Sequence, residues 1–276
     1  MPALEEGSPV TVEGSLTIPA TDHPVPAVIL IHGCGGIGSS ERGWVDDLTE
    51  WGHASLVLDS FGGRGISQVC TGRETMNVAS MLVDLYRATE TIAANPYIDG
   101  SRIAVMGFSF GGRTALWSAM TRLQDLYDAP DLAAHVAFYP STCFIRLEGE
   151  ELVLGAPIRI FHGTEDDWTP IDQCEDYVDR LRTIDVDVSL FSYAGAHHSF
   201  DNETMPPTGT GHIDVPSPRN CEFVEIEGEI IDSDSGDVAG VGSSCVEIGV
   251  QFGYDPDAHQ AAKSDLSSLL SGVFDG

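Results

Sequence analysis

The chain has 276 residues, 42% of them hydrophobic, enough to bury a full core. It carries 43 acidic against 13 basic residues, a formal charge of −30, and Lys263 is its only lysine. That charge repels phosphate backbones and argues against a nucleic-acid partner. No run reaches the roughly 18 apolar residues of a membrane span.

In chain order, the start "MPALEEGSPV" lacks a basic n-region and an apolar h-region, so it reads as no signal peptide and implies a cytoplasmic protein. "TVEGSLTIP" alternates and reads as an edge strand. "AVILIH" (27–32) is continuously apolar, as a strand buried on both faces should be. "HGCGGIG" (32–38) follows. A helix is expected at 44–52 and a strand at 54–59, then a loop rich in Gly and Arg, "SFGGRGISQVCTGR". Val78, Met81, Leu82, Leu85, Ala88 and Ile92 keep helical spacing over 77–94, and Asn95-Pro96 ends that helix. Strands at 102–108, 134–140, 157–163 and 187–195 are interleaved with helices at 111–126 and 171–183. Alternation of this kind predicts an α/β class with a mainly parallel sheet. Residues 201–220 read as loop. "CEFVEIEGEIID" and "CVEIGVQFGYD" read as the two strands of a small hairpin. A last helix starts at Pro256 behind Asp255. The chain therefore reads as a single domain, 1–276, with an insertion at about 202–253.

The six cysteines lack C-x-x-C spacing and are few for a disulfide scaffold. Cys221 and Cys245 bracket an acidic, Gly-rich segment; a bridge between them and free buried thiols are the two readings. The acidic surface likewise has two readings, solubility and adaptation to high salt.

"HGCGGIG" fits the G-x-G-x-x-G spacing of a dinucleotide-binding turn through Gly33, Gly35 and Gly38, with Asp59 as the ribose-binding acid. It also opens like the oxyanion loop of serine hydrolases. The rest of the chain favours the second reading. "GFSFGG" (107–112) lies between an apolar strand and a helix, the context of a nucleophile elbow that projects Ser109. Later strand ends supply an acid, from Glu165, Asp166 and Asp167, and a histidine, His197 or His198, in the order Ser, acid, His. A helix is expected to start at a dinucleotide fingerprint itself, whereas "GSSERG" delays the one here. His162 precedes the acid and reads as a core histidine. An inactive hydrolase scaffold serving as a binding protein is a third reading, disfavoured by the complete set of candidate residues.

The segments "PAVILIHGCGG", "LDSFGGRGI", "RIAVMGFSFGG", "GTEDDWTP" and "YAGAHHSFD" together resemble the dienelactone hydrolase family of α/β-hydrolases, over about residues 25–201. The resemblance implies the α/β-hydrolase fold and selects Asp166, four positions before Pro170, as the acid and His198 as the base. It leaves Asp167 as a loop cap and His197 as a wall or surface residue. The family's namesake uses a cysteine nucleophile and a glutamate near the oxyanion loop. This chain has Ser109 and no acid between His32 and Ser40, which implies an ordinary serine carboxylesterase. The namesake's carboxylate-binding arginines suggest Arg64 and Arg73 here as substrate contacts, and Trp168 joins them beside Asp166. The expected machinery is thus Ser109, His198 and Asp166, with backbone N–H groups of Cys34 and Phe110 as the oxyanion hole. It acts on a small-molecule ester and needs no metal or organic cofactor.

Overall fold

A computed structural model of the protein describes residues 10–72, 76–150, 152–153 and 155–275. Strands β1 (Glu13–Thr17), β2 (Val25–Ile31), β3 (Ala54–Asp59), β4 (Ile98–Phe108), β5 (His135–Phe138), β7 (Ile158–Gly163) and β8 (Val188–Tyr193) build one sheet in the order β1-β3-β2-β4-β5-β7-β8. Every pairing is parallel except that of the edge strand β1. The short β6 (Ile145–Arg146) lies outside this sheet.

The apolar run in β2 is needed because both faces are covered. Ala27, Ile29 and Ile31 enter one core; Val28 and Leu30 enter the other. Helices α2 (Val78–Ala93), α3 (Phe110–Trp117) and α5 (Ile171–Arg182) pack on the first face, through Leu82, Leu85, Leu116 and Val178. Helices α1 (Ser39–Glu50) and α6 (Pro256–Asp275) cover the second, through Trp44, Leu48, Ala262 and Leu266. Asn77 caps α2 and Asp255 caps α6, each accepting a backbone N–H of the first turn.

Several boundaries differ from the sequence reading. The helix expected over 111–126 is two pieces, α3 and α4 (Thr121–Tyr127). Ser118 interrupts it, its hydroxyl donating to the Ala115 carbonyl and its own carbonyl accepting from the Gln124 amide. Helix α1 begins at Ser39, five residues earlier than expected, because Glu41 Oε2 accepts the Gly38 N–H (2.7 Å) and closes its first turn. The delay held against a dinucleotide fingerprint therefore does not exist.

The hairpin expected in the insertion is paired differently. Phe223–Ile226 (β10) and Glu229–Asp232 (β11) pair with each other across Glu227-Gly228, both at positive φ (53° and 84°), the geometry of a tight hairpin turn. Glu247–Phe252 (β12) pairs instead with Gly211–Ser217 (β9), a strand inside the stretch read as loop. With β6 these elements form a three-stranded sheet, β11-β10-β6, and a two-stranded one, β12-β9, and add no strand to the main sheet.

All six cysteines are paired, as Cys34–Cys70, Cys143–Cys174 and Cys221–Cys245. The free-thiol reading is thereby corrected. The partners were hard to see because two of the three pairs join different loops or elements at Cα separations of 4.9 Å, inside the bridging range. Closing the 24-residue span of Cys221–Cys245 stabilises by about 3–4 kcal/mol on the chain-entropy model. The double variant Cys221→Ser/Cys245→Ser is expected to lose on the order of 10 °C in Tm. Thiol titration of the denatured, unreduced wild type should find no free thiol; six reactive thiols would refute the pairing.

Candidate active site

The sharp turn between β4 and α3 holds Ser109 at φ 51°, a left-handed conformation that side-chain-bearing residues rarely adopt. Its neighbours permit the turn. A Cβ on Gly107 would strike the Gly111 carbonyl, and one on Gly111 would strike the carbonyls of Ile31 and His32. The strained turn is tied down from three sides. Ser109 N donates to Phe138 O (2.9 Å), and Ser109 O accepts from Ser141 N (3.1 Å) and Arg113 N (3.2 Å). The hydroxyl is thus presented above the sheet at the C-terminal end of β4, where ligands of parallel α/β sheets bind.

The structure brings three distant side chains to this rim. His198, in the loop after β8, accepts the Ser109 hydroxyl at Nε2 (3.0 Å) and donates from Nδ1 to Asp166 Oδ2 (2.7 Å), with the proton placed on Nδ1 by this network. Asp166, in the loop after β7, is buried and fully engaged. Its Oδ1 accepts the backbone N–H groups of Trp168 and Thr169 (both 2.9 Å), and its Oδ2 also accepts the Thr169 hydroxyl (3.1 Å). Burial alone would raise the Asp166 carboxyl. The charge and hydrogen bond of His198 and the Thr169 N–H outweigh it, and the group lies below the usual carboxylate range. The His198 ring is held between Tyr139 (centroids 4.5 Å) and Trp168 (4.8 Å).

The backbone N–H groups of Cys34 and Phe110 find no acceptor among the described residues, and both residues line cavities that reach Ser109. Gly33 comes close enough to Ser109 that a Cβ there would lie 3.6 Å from Ser109 Cβ. The loop holding Cys34 is fixed twice, by the Cys34–Cys70 bridge and by Val69 N donating to Cys34 O (2.8 Å).

Other expected residues fall elsewhere. Arg64 makes a bidentate pair with Asp84 (2.7 and 2.9 Å) and donates to Ser60 O, and it lines neither cavity at Ser109. Its role as a substrate contact is corrected to that of a loop clamp. Arg73 lies outside the described residues. Trp168 lines both cavities beside Ser109. Asp167 does not cap its own loop, a task Asp166 performs; it accepts from Gln251 N and pairs with Arg219, holding the insertion. His197 bonds Thr208 instead of the serine. His162 is buried as a core histidine, yet only its Nδ1 is satisfied, by Gly163 O.

Sequence reasoning missed the support behind the site. Asp201 is buried, accepting from Trp44 Nε1 (2.8 Å) and the Tyr139 hydroxyl (2.5 Å), so it fixes the ring that packs on His198. Burial pushes the Asp201 and Glu41 carboxyls up. Glu41 holds the loop that the sequence shows to lack an acid; the Gly38-x-x-Glu41 spacing was its available signal. The carboxylate also occupies the α1 N-terminus, where a dinucleotide would need to place its pyrophosphate. Asp59, the proposed ribose ligand, is committed to the N–H groups of Phe61 and Gly62. The geometry does not suit a dinucleotide.

The mostly parallel sheet, the flanking helices and the sharp strand–Ser109–helix turn define an α/β-hydrolase fold. Within it, the chain belongs to the dienelactone hydrolase family, whose model matches residues 12–218, and it is a carboxylic ester hydrolase. It is 23% identical over 199 residues to a Bradyrhizobium protein named as a probable 2-oxo-3-(5-oxofuran-2-ylidene)propanoate lactonase, covering 67% of this chain and 77% of that one. Among solved structures it is similar to a dienelactone hydrolase-like promiscuous phosphotriesterase from metagenomic libraries (TM-score 0.64, 20% identity, 96% of this chain and 94% of that one). It is also similar to a thermophilic esterase from the Planctomycetes species Thermogutta terrifontis with propionate bound (TM-score 0.57, 20% identity, 71% and 82%). At these identities the structural likeness establishes the fold.

Proposed function

We propose that the protein is a serine esterase that cleaves esters or lactones of small molecules through an acyl-Ser109 intermediate. The observation that carries this reading is the unbroken hydrogen-bond chain Ser109–His198–Asp166, with two unpaired N–H groups beside it. Ser109 Oγ attacks the ester carbonyl carbon while His198 Nε2 takes its proton, and Asp166 stabilises the imidazolium. The carbonyl oxygen, now an anion, is met by the N–H groups of Cys34 and Phe110, worth about 3–4 kcal/mol per donor in comparable sites. As the tetrahedral species collapses, the C–O bond to the alcohol breaks and the departing oxygen takes the proton from Nε2. Water then repeats the sequence on the acyl-serine, releasing the acid and restoring Ser109. The lactonase and esterase names among the relatives agree with this chemistry.

Disulfides persist in oxidising compartments. Three of them support work outside a reducing cytosol, against the cytoplasmic expectation from the N-terminus.

A fluorophosphonate probe should add once per chain, on the peptide carrying Ser109, and p-nitrophenyl acetate hydrolysis should stop in step with labelling. Full hydrolysis by quantitatively labelled protein would refute the assignment.

A further inference from the structure

Two cavities meet at Ser109. Both touch Cys34, Cys70, Ser109 and Trp168, so the nucleophile and the Cys34–Cys70 bridge stand on the divide between them. The larger, about 520 Å³, lies on the Phe110 side. Phe110, Trp117 and Phe144 line it from the main fold, and Phe223, Ile230 and Val241 line it from the insertion. The smaller, about 280 Å³, lies among the oxyanion-loop glycines, Glu41 and Asn202, and it alone of the two contains His198.

The position of His198 decides which end of an ester enters which cavity. In the mechanism above, the proton on Nε2 must reach the departing alcohol oxygen, and the water that follows must be activated at the same atom. The alcohol therefore belongs in the cavity that contains His198. The acyl chain, held on the far side of the carbonyl, belongs in the larger cavity. Volume and lining then describe the acid: long enough to need the space, and apolar.

Arg113 is the one charged residue lining the larger cavity among the described residues. It has no carboxylate partner among them, and burial pushes its guanidinium down to about 10. An acyl chain ending in a carboxylate is therefore the rival ligand. Two observations count against it. The guanidinium already donates from Nε and Nη2 to Ser141 O (2.9 and 2.5 Å) and lies over the Phe110 and Trp117 rings. A net charge of −30 also repels anions at long range.

We propose that the preferred substrate is a neutral ester of a medium-chain apolar acid and a small alcohol, with the 202–253 segment forming the wall that selects the acyl chain. This rests on the serine-esterase reading.

The test compares two isomers, methyl hexanoate and pentyl acetate, by pH-stat rates on the wild-type protein. A buried methylene favours the fitting substrate by about fourfold, so methyl hexanoate should exceed pentyl acetate in kcat/KM by more than tenfold. Methyl hexanoate should also exceed its anionic analogue, monomethyl adipate. Val241→Trp at the exposed lip, and Ala239→Trp deeper in, should bring the ratio of methyl hexanoate to methyl acetate down towards one. A preference for pentyl acetate, with Ser109 still labelled by the fluorophosphonate, overturns the cavity assignment and leaves the esterase standing. A preference for monomethyl adipate overturns the neutral acyl chain. No turnover of any ester together with no label on Ser109 overturns both readings.

Discussion

On the proposed mechanism, Ser109→Ala should lower kcat for ester hydrolysis by about five to six orders of magnitude and leave the fold in place. The hydroxyl makes one side-chain hydrogen bond, to His198, so alanine removes the proposed nucleophile without leaving a buried donor stranded in the core. The strained φ of 51° is set by the backbone ties to Phe138, Ser141 and Arg113, none of which the substitution touches. Because nucleophile and base act as a unit, His198→Ala should cost nearly as much. The double variant should be no worse than either single one. His197→Ala, which removes only a bond to Thr208, should cost less than tenfold. The measurements are steady-state kcat on purified variants and Tm. Turnover within a hundredfold of wild type in Ser109→Ala would end the assignment, as would a larger loss from His197→Ala than from His198→Ala.

Asp166→Asn should lower kcat by about ten-thousandfold, and the local hydrogen bonds explain why so similar a side chain would fail. Two backbone N–H groups, of Trp168 and Thr169, point at Oδ1. An asparagine must keep its oxygen there, which turns its NH₂ group towards His198 Nδ1. That nitrogen must then accept, so the ring proton moves to Nε2, and Nε2 no longer takes the proton of Ser109. Asp167→Asn offers the contrast: it weakens a contact to Arg219 and the insertion but leaves the histidine tautomer alone. A second readout follows from the low-lying Asp166 carboxyl. Its contribution to stability is present above the unfolded value near 3.9 and is lost as pH falls through the lower folded value. Part of the wild-type fall in Tm below about pH 4 should therefore be missing in Asp166→Asn. Near-normal kcat in that variant would remove Asp166 from the mechanism.

Much of this site was legible in the sequence because each element carries its own local signal. A strand buried on both faces must be continuously apolar, as 27–32 is, and an elbow this tight needs small residues at Gly107 and Gly111. The order Ser109, Asp166, His198 could be read because all three follow strands. What stayed hidden depends on proximity across the fold. Cys34 and Cys70 follow β2 and β3, which are neighbours only once the sheet order is known. Arg64 looked free for a ligand because its partner, Asp84, stands on α2, twenty residues further on. The pairing of β9 with β12 joins strands separated by the whole β10–β11 hairpin, and alternation alone does not name a partner. Asp201 looked like an ordinary loop acid, since neither Trp44 nor Tyr139 is near it in the chain.

The segment carrying β9 to β12 leaves the main sheet untouched and is stapled across its own middle by Cys221–Cys245. Arg219 and Asp167 fasten it to the loop that carries the acid. The segment also reaches the proposed base, since Gly253 N donates to His198 O (3.0 Å), so its outward side chains can change freely while the backbone at Ser217 and Phe252–Gly253 must stay in place. On the proposed reading, a change in those side chains alters what the pocket accepts, and a change in the tethering backbone alters the chemistry itself.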